Sequence, residues 1–124
     1  MLHDILNRGL QSKIKWIHNL SYQLSALMYP SYVEEQLTHP HPENRVRILR
    51  SLARISKEQL ERAMQDTSVS VRRAAILRPN YWPSKETVEL GLQDEDEYMR
   101  EIWKEKKAQL DRLALQAQLS LAPR

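Results

Sequence analysis

The sequence predicts an all-α fold, a short solenoid of about three helical pairs closed by a long C-terminal helix. Three observations carry this. With two glycines, no phenylalanine and no cysteine, the 124-residue chain has a helix-forming composition. The stretch Ser56-Lys57-Glu58-Gln59-Leu60-Glu61-Arg62-Ala63-Met64-Gln65-Asp66 returns without a gap 28 positions later as Ser84-Lys85-Glu86-Thr87-Val88-Glu89-Leu90-Gly91-Leu92-Gln93-Asp94. The echo matches Leu60 with Val88, Met64 with Leu92, Val71 with Met99 and Ala74 with Ile102. Apolar positions repeated in this way point to stacked units, each burying its face on the next. Finally, Ser31, Ser56 and Ser84 each stand 15 residues before an apolar-Arg pair, at Val46-Arg47, Val71-Arg72 and Met99-Arg100.

Residues 1–30 read as N-terminal capping helices. Ile5, Leu6, Leu10, Ile14, Ile17, Leu20, Leu24 and Leu27 recur at helical spacing as the core face, thickened by Trp16 and Tyr22, with a break near 9–12 where Ser12 offers a cap. Tyr29-Pro30 ends the segment, because a residue before proline avoids helical dihedrals. Ser31 and Glu34 have the spacing of a capping box for the next helix. His39-Pro40-His41-Pro42 is a stiff connector, and a helix from about Glu43 presents Val46, Leu49, Leu52 and Ala53 to the core. Repeats occupy 31–95, a terminal helix 96–118 and a frayed tail 119–124, so that 1–118 form one domain. The acids Asp94 to Glu97 complement the start of the terminal helix, whose apolar stripe is Met99, Ile102, Trp103, Leu110, Leu113 and Ala117. Beyond Trp103 that helix either folds back or projects.

Short helical pairs marked by an Asp and, a few residues on, Val-Arg-x-Ala resemble HEAT-like repeats, nearest to the leucine-rich repeat variant type. Asp66 with Val71-Arg72-Arg73-Ala74 carries the pattern whole, Asp94 with Met99-Arg100-Glu101-Ile102 carries it with bulkier side chains, and Val46-Arg47 lacks the acid. The resemblance covers roughly 31–104 and implies a right-handed superhelix whose concave surface binds protein or, in some members, nucleic acid. It also implies ladder roles for Arg47, Arg72 and Arg100. The iron–sulfur cluster of some variant-repeat proteins needs cysteine, which is absent, so no cofactor is expected.

Charge is uneven. Residues 42–80 hold nine basic against four acidic residues, although the net charge of the whole chain is only +3. An acidic partner suits such a middle. Arg47, Arg50, Arg54, Arg72 and Arg73 suggest a stripe able to hold phosphates, with Arg50, Arg54, Arg73 and Arg78 freer than the ladder arginines. Tyr81 and Trp82 lie between Pro79 and Pro83. They read either as a contact hot spot or, the preferred reading, as a turn whose Trp82 folds down over the core. His39 and His41 lack a third ligand at metal spacing, and no glycine-rich phosphate loop, nucleophile elbow or paired His-Glu motif occurs. The expectation is a soluble, cytoplasmic, non-enzymatic module with no metal and no membrane span. A protein partner is expected, bound as adaptor or inhibitor through Arg50, Arg54, Arg73, Arg78, Tyr81 and Trp82, with sequence-tolerant nucleic-acid binding as the alternative.

Overall fold

A computed structural model describes residues 2–79 and 81–121. Among these residues all regular structure is helical: α1 (Leu2–Leu10), α2 (Lys15–Met28), α3 (Pro30–Leu37), α4 (Pro42–Leu49), α5 (Lys57–Ala63), α6 (Val69–Ile76), α7 (Lys85–Gly91) and α8 (Glu97–Leu121). None of these helices is long and apolar enough to cross a membrane. The chain forms two compact units, Met1–Arg78 and Pro79–Arg124.

In the first unit α1 packs on α2, α2 on α3, α3 on α4, α4 on α6 and α5 on α6. Ile48, Leu49, Val71 and Ala75 are its most deeply buried apolar side chains on α4 and α6. The second unit packs α7 on the start of α8, around Met99 and Trp103. Gly91 is required there, because a Cβ at that position would overlap the Trp103 indole.

Local sequence sets the helix starts. Ser56 makes a complete capping box, its hydroxyl accepting from Gln59 N–H while the Gln59 side chain accepts from Ser56 N–H, at 3.1 and 2.9 Å. Ser84 accepts from Thr87 N–H at 3.3 Å. Ser31 does not cap. Tyr29 is the N-cap of α3 and Pro30 occupies the first helical position, where its fixed φ is already helical and its missing N–H is not needed. The first helical residues are therefore Pro30, Lys57 and Lys85, which puts the first register at 27 residues rather than 25.

The same shift moves the arginine that bonds back into its own turn. Arg72 donates to Asp66 O at 2.8 Å and Arg100 to Asp94 O at 2.7 Å, each six residues back in its own turn. In the first pair this bond comes from Arg45, which donates to His39 O at 2.7 Å, not from Arg47. Asp66 and Asp94 accept from the N–H two residues on, Ser68 and Asp96, at 2.8 and 2.9 Å. His39 takes that place in the first turn, its Nδ1 accepting from His41 N–H at 3.1 Å. An unprotonated imidazole nitrogen thus does the work of a carboxylate oxygen, which hides the first turn from an Asp-based pattern.

Two other expectations are corrected. α8 continues to Leu121, so 119–121 are helical, while 122–124 lie outside the described residues. Past Trp103 its expected stripe is mostly uncovered, with Leu113 and Ala117 exposed and Leu110 half-buried. And α4 ends at Leu49, which leaves Leu52 outside the core at 68% exposed while Ile48 is fully buried.

Candidate functional site

The N-terminal helices break where expected, but α2 turns the opposite face inward. Its buried residues are Ser21, Tyr22, Ser25 and Ala26. Trp16, Leu20 and Leu27 are exposed, and with half-buried Leu24 they recur at spacings of four, four and three as one stripe. Ile5 and Ile14, also expected in the core, are exposed. The cause lies in small residues. Gly9 of α1 sits so close to Ser21 that a Cβ there would overlap the serine side chain. Gly9, Ser21, Ser25 and Ala26 let the backbones approach, and the bulky residues are left on the far side. Trp16, at 68% exposed, is the largest side chain on that stripe.

A second segment joins this stripe. Residues 50–54 alternate, with Ser51 and Ala53 buried and Arg50, Leu52 and Arg54 exposed. Gln23, in line with Leu20 and Leu27 on α2, accepts from Leu52 N–H at 3.0 Å and so ties the backbone of this segment to α2. The segment is fixed from behind by Arg78, whose guanidinium donates to the carbonyls of Leu49, Ser51 and Ala53 at 2.8, 2.9 and 2.7 Å. Ser51 adds a bond to Ile48 O at 2.6 Å and accepts from Ala53 N–H at 3.1 Å. Burial lowers the pKa of Arg78 from its ordinary value.

Arg47 binds α2 from the side. It donates to His18 Nε2 at 3.0 Å and Asn19 Oδ1 at 3.2 Å, and its guanidinium carbon lies 3.7 Å from the Tyr22 ring centroid. His18 Nδ1–H donates to Leu10 O at 2.9 Å, which fixes the neutral tautomer whose Nε2 receives Arg47. Burial among these rings, chiefly desolvation, pushes the phenol pKa values of Tyr22 and Tyr32 upward.

The anticipated binding residues separate into distinct places. Arg50 and Arg54 flank Leu52 and are exposed. Arg78 is committed to three carbonyls, so its role is positioning rather than contact. Arg72 is buried, and Arg47 is held by α2, which removes both from a continuous arginine stripe. Arg73 is exposed on α6. Tyr81 is 4% exposed and Trp82 46% exposed, which reverses the expected orientation, and Lys106 Nζ lies 5.0 Å from the Trp82 ring.

Within the first unit, a cavity of about 310 Å³ is lined by Leu37, His39, Arg45, Gln59, Arg62 and Asp66 among others. Its charges are already matched. Arg45 forks onto Asp66 at 2.8 and 3.0 Å, and Arg62 and Gln59 both reach Glu34 at 2.8 Å. Among the described residues no group of three or more His, Asp or Glu side chains is placed to hold a metal ion. Comparison with family models, with curated proteins and with solved structures gave no match.

Proposed function

We propose that the chain is a non-enzymatic binding module, built from HEAT-like helical pairs, that docks a protein partner on the α2 face. The carrying observation is the apolar stripe of Trp16, Leu20 and Leu27, exposed on a helix whose opposite side is packed. Bulky apolar side chains grouped on one surface favour a partner that excludes water, and Trp is the residue type most enriched at the energetic centre of interfaces. A phosphate backbone offers nothing to such a stripe, and two of the five arginines needed for a phosphate track are engaged internally. The stacked-pair reading is supported by the recurrent arginine-to-carbonyl turn and by Glu34 of α3 bridging to Gln59 and Arg62 of α5.

The test is affinity capture from nuclease-treated source lysate with the natural chain and with Leu20→Ser/Leu27→Ser. A partner protein retained by the first and lost by the second is the expected result. Loss of all binding on nuclease treatment would assign the chain to nucleic acid instead.

A further inference from the structure

We infer that the partner segment seated on this face is an amphipathic helix carrying acidic residues along one side, an inference that rests on the protein-docking reading above. The face is assembled from two acid-free stretches. Residues 9–33 and 44–57 contain Lys13, Lys15, Arg45, Arg47, Arg50, Arg54 and Lys57 and not one Asp or Glu. Of these seven, Arg45 is neutralised by its ion pair with Asp66 and Arg47 is held by His18 and Asn19, which leaves Lys13, Lys15, Arg50, Arg54 and Lys57 exposed. The exposed cations are therefore unbalanced next to the apolar stripe, although the whole chain is nearly neutral.

Their arrangement has a direction. Lys13 and Lys15 lie at the N-terminal end of the stripe, while Arg50 and Arg54 flank Leu52 on the side held by Gln23. From Trp16 to Leu27 the stripe runs eleven residues, roughly 16 Å or three turns of helix, and is one helix wide. A helix of similar length offers leucines at matching spacing, with carboxylates beside the lysines and the arginine edge. A planar anionic lipid surface, which also accepts an apolar stripe edged by cations, is the competing occupant that the vesicle measurement below separates. A second copy docking through its own α2 or through the distal part of α8 is disfavoured by charge. The exposed distal part of α8 carries Lys107 and Arg112 against Asp111, and α2 itself carries no acid, so either contact sets like charges together.

The experiment uses labelled synthetic peptides about four turns long. One has leucines at positions i, i+4, i+7 and i+11 flanked by glutamates, a second has the same leucines flanked by lysines, and a third is glutamate-flanked with the leucines replaced by serine. Fluorescence anisotropy with the full chain is expected to show the acidic leucine peptide binding at least about tenfold more tightly than either other, with affinity falling as salt rises. In the chain, Leu20→Ser/Leu27→Ser and Arg50→Glu/Arg54→Glu are each expected to weaken it by about tenfold or more. The lysine-flanked peptide should regain affinity for the charge-reversed chain. Circular dichroism checks that both variants remain helical.

Equal binding of acidic and basic peptides, or no rescue by charge exchange, overturns the inference. So does Leu20-dependent binding to phosphatidylcholine–phosphatidylserine vesicles, or a concentration-dependent dimer lost in Leu20→Ser/Leu27→Ser. If a captured partner needs Leu20 and Leu27 while no acidic peptide binds, the acidic helix is wrong and the protein-docking reading survives.

Discussion

Arg78 donates to the carbonyl oxygen of Ala53 at 2.7 Å across 25 residues of sequence, and through this bond and its companions to Leu49 and Ser51 it shapes the link after α4. Without that clamp three carbonyls at a helix end lose a charged donor. Arg78→Met is expected to destabilise the first unit by about 2–3 kcal/mol in urea unfolding, in the range of hydrogen bonds to charged groups. Arg78→Lys should recover only part, because one ammonium lacks the planar fork that spans several oxygens. A neutral Arg78→Met would show that the link is held by Ser51 and Gln23 alone.

The Arg45–Asp66 fork joins α4 to the turn before α6, with both side chains largely buried at 14% and 15% exposed. Asp66→Asn keeps an oxygen for Ser68 N–H and removes the charge, so it isolates the ion pair from the turn. A double-mutant cycle with Arg45→Met is expected to give a coupling of about 1–3 kcal/mol. Additive effects would mean that Arg45 acts through the carbonyls of His39 and Pro40 instead.

The capping serines are not equivalent. Ser56→Ala is expected to cost about 0.5–2 kcal/mol, since it removes half of a capping box. Ser31→Ala should be close to neutral, because Tyr29 and Pro30 start α3 without it. Equal losses at both positions, measured by thermal unfolding, would contradict the 27-residue register.

Glu34 carries a pH signature. The Gln59 side-chain hydrogen bond, opposed by burial and helped by Arg62, holds its pKa below the ordinary value. A depressed carboxylate stabilises the fold above its unfolded pKa, and the contribution fades as pH falls through the lower folded value. The Arg62–Glu34 pair is about half exposed, so Glu34→Gln should cost only about 0.2–1 kcal/mol at pH 7. That difference should shrink as pH falls through the folded value, and one that persisted below it would locate the effect in packing.

Much of the helical layout was legible because it is written in local chemistry. Serines at 56 and 84 and the acids at 94–97 mark helix starts without reference to anything distant, whereas Pro30 and Pro42, which read as a break and a connector, are themselves the first helical residues. The first register was misread for a chemical reason: His39 substitutes for aspartate, and Arg45 rather than Arg47 makes the turn bond. The face of α2 was misread for a packing reason. Periodicity marks which residues share a side but not which side packs, and the signal for that was the small set Gly9, Ser21, Ser25 and Ala26. Arg50 and Arg54 were found as exposed cations, whereas their apolar neighbour Leu52 was assigned to the core because helical spacing was extended past the true end of α4. Tyr81 rather than the expected Trp82 turns inward, because either aromatic suits a turn between prolines and only packing selects one.

Titration calorimetry of the captured partner against matched leucine variants tests the docking face most directly. Leu20→Ser/Leu27→Ser removes two exposed leucines from α2, and Leu115→Ser/Leu119→Ser removes two exposed leucines from the distal part of α8. The α2 pair is expected to cost about 2 kcal/mol or more, roughly 30-fold in affinity, and the α8 pair less than about 0.5 kcal/mol. Equal losses, or an unchanged affinity for the α2 pair, would contradict a docking site on α2.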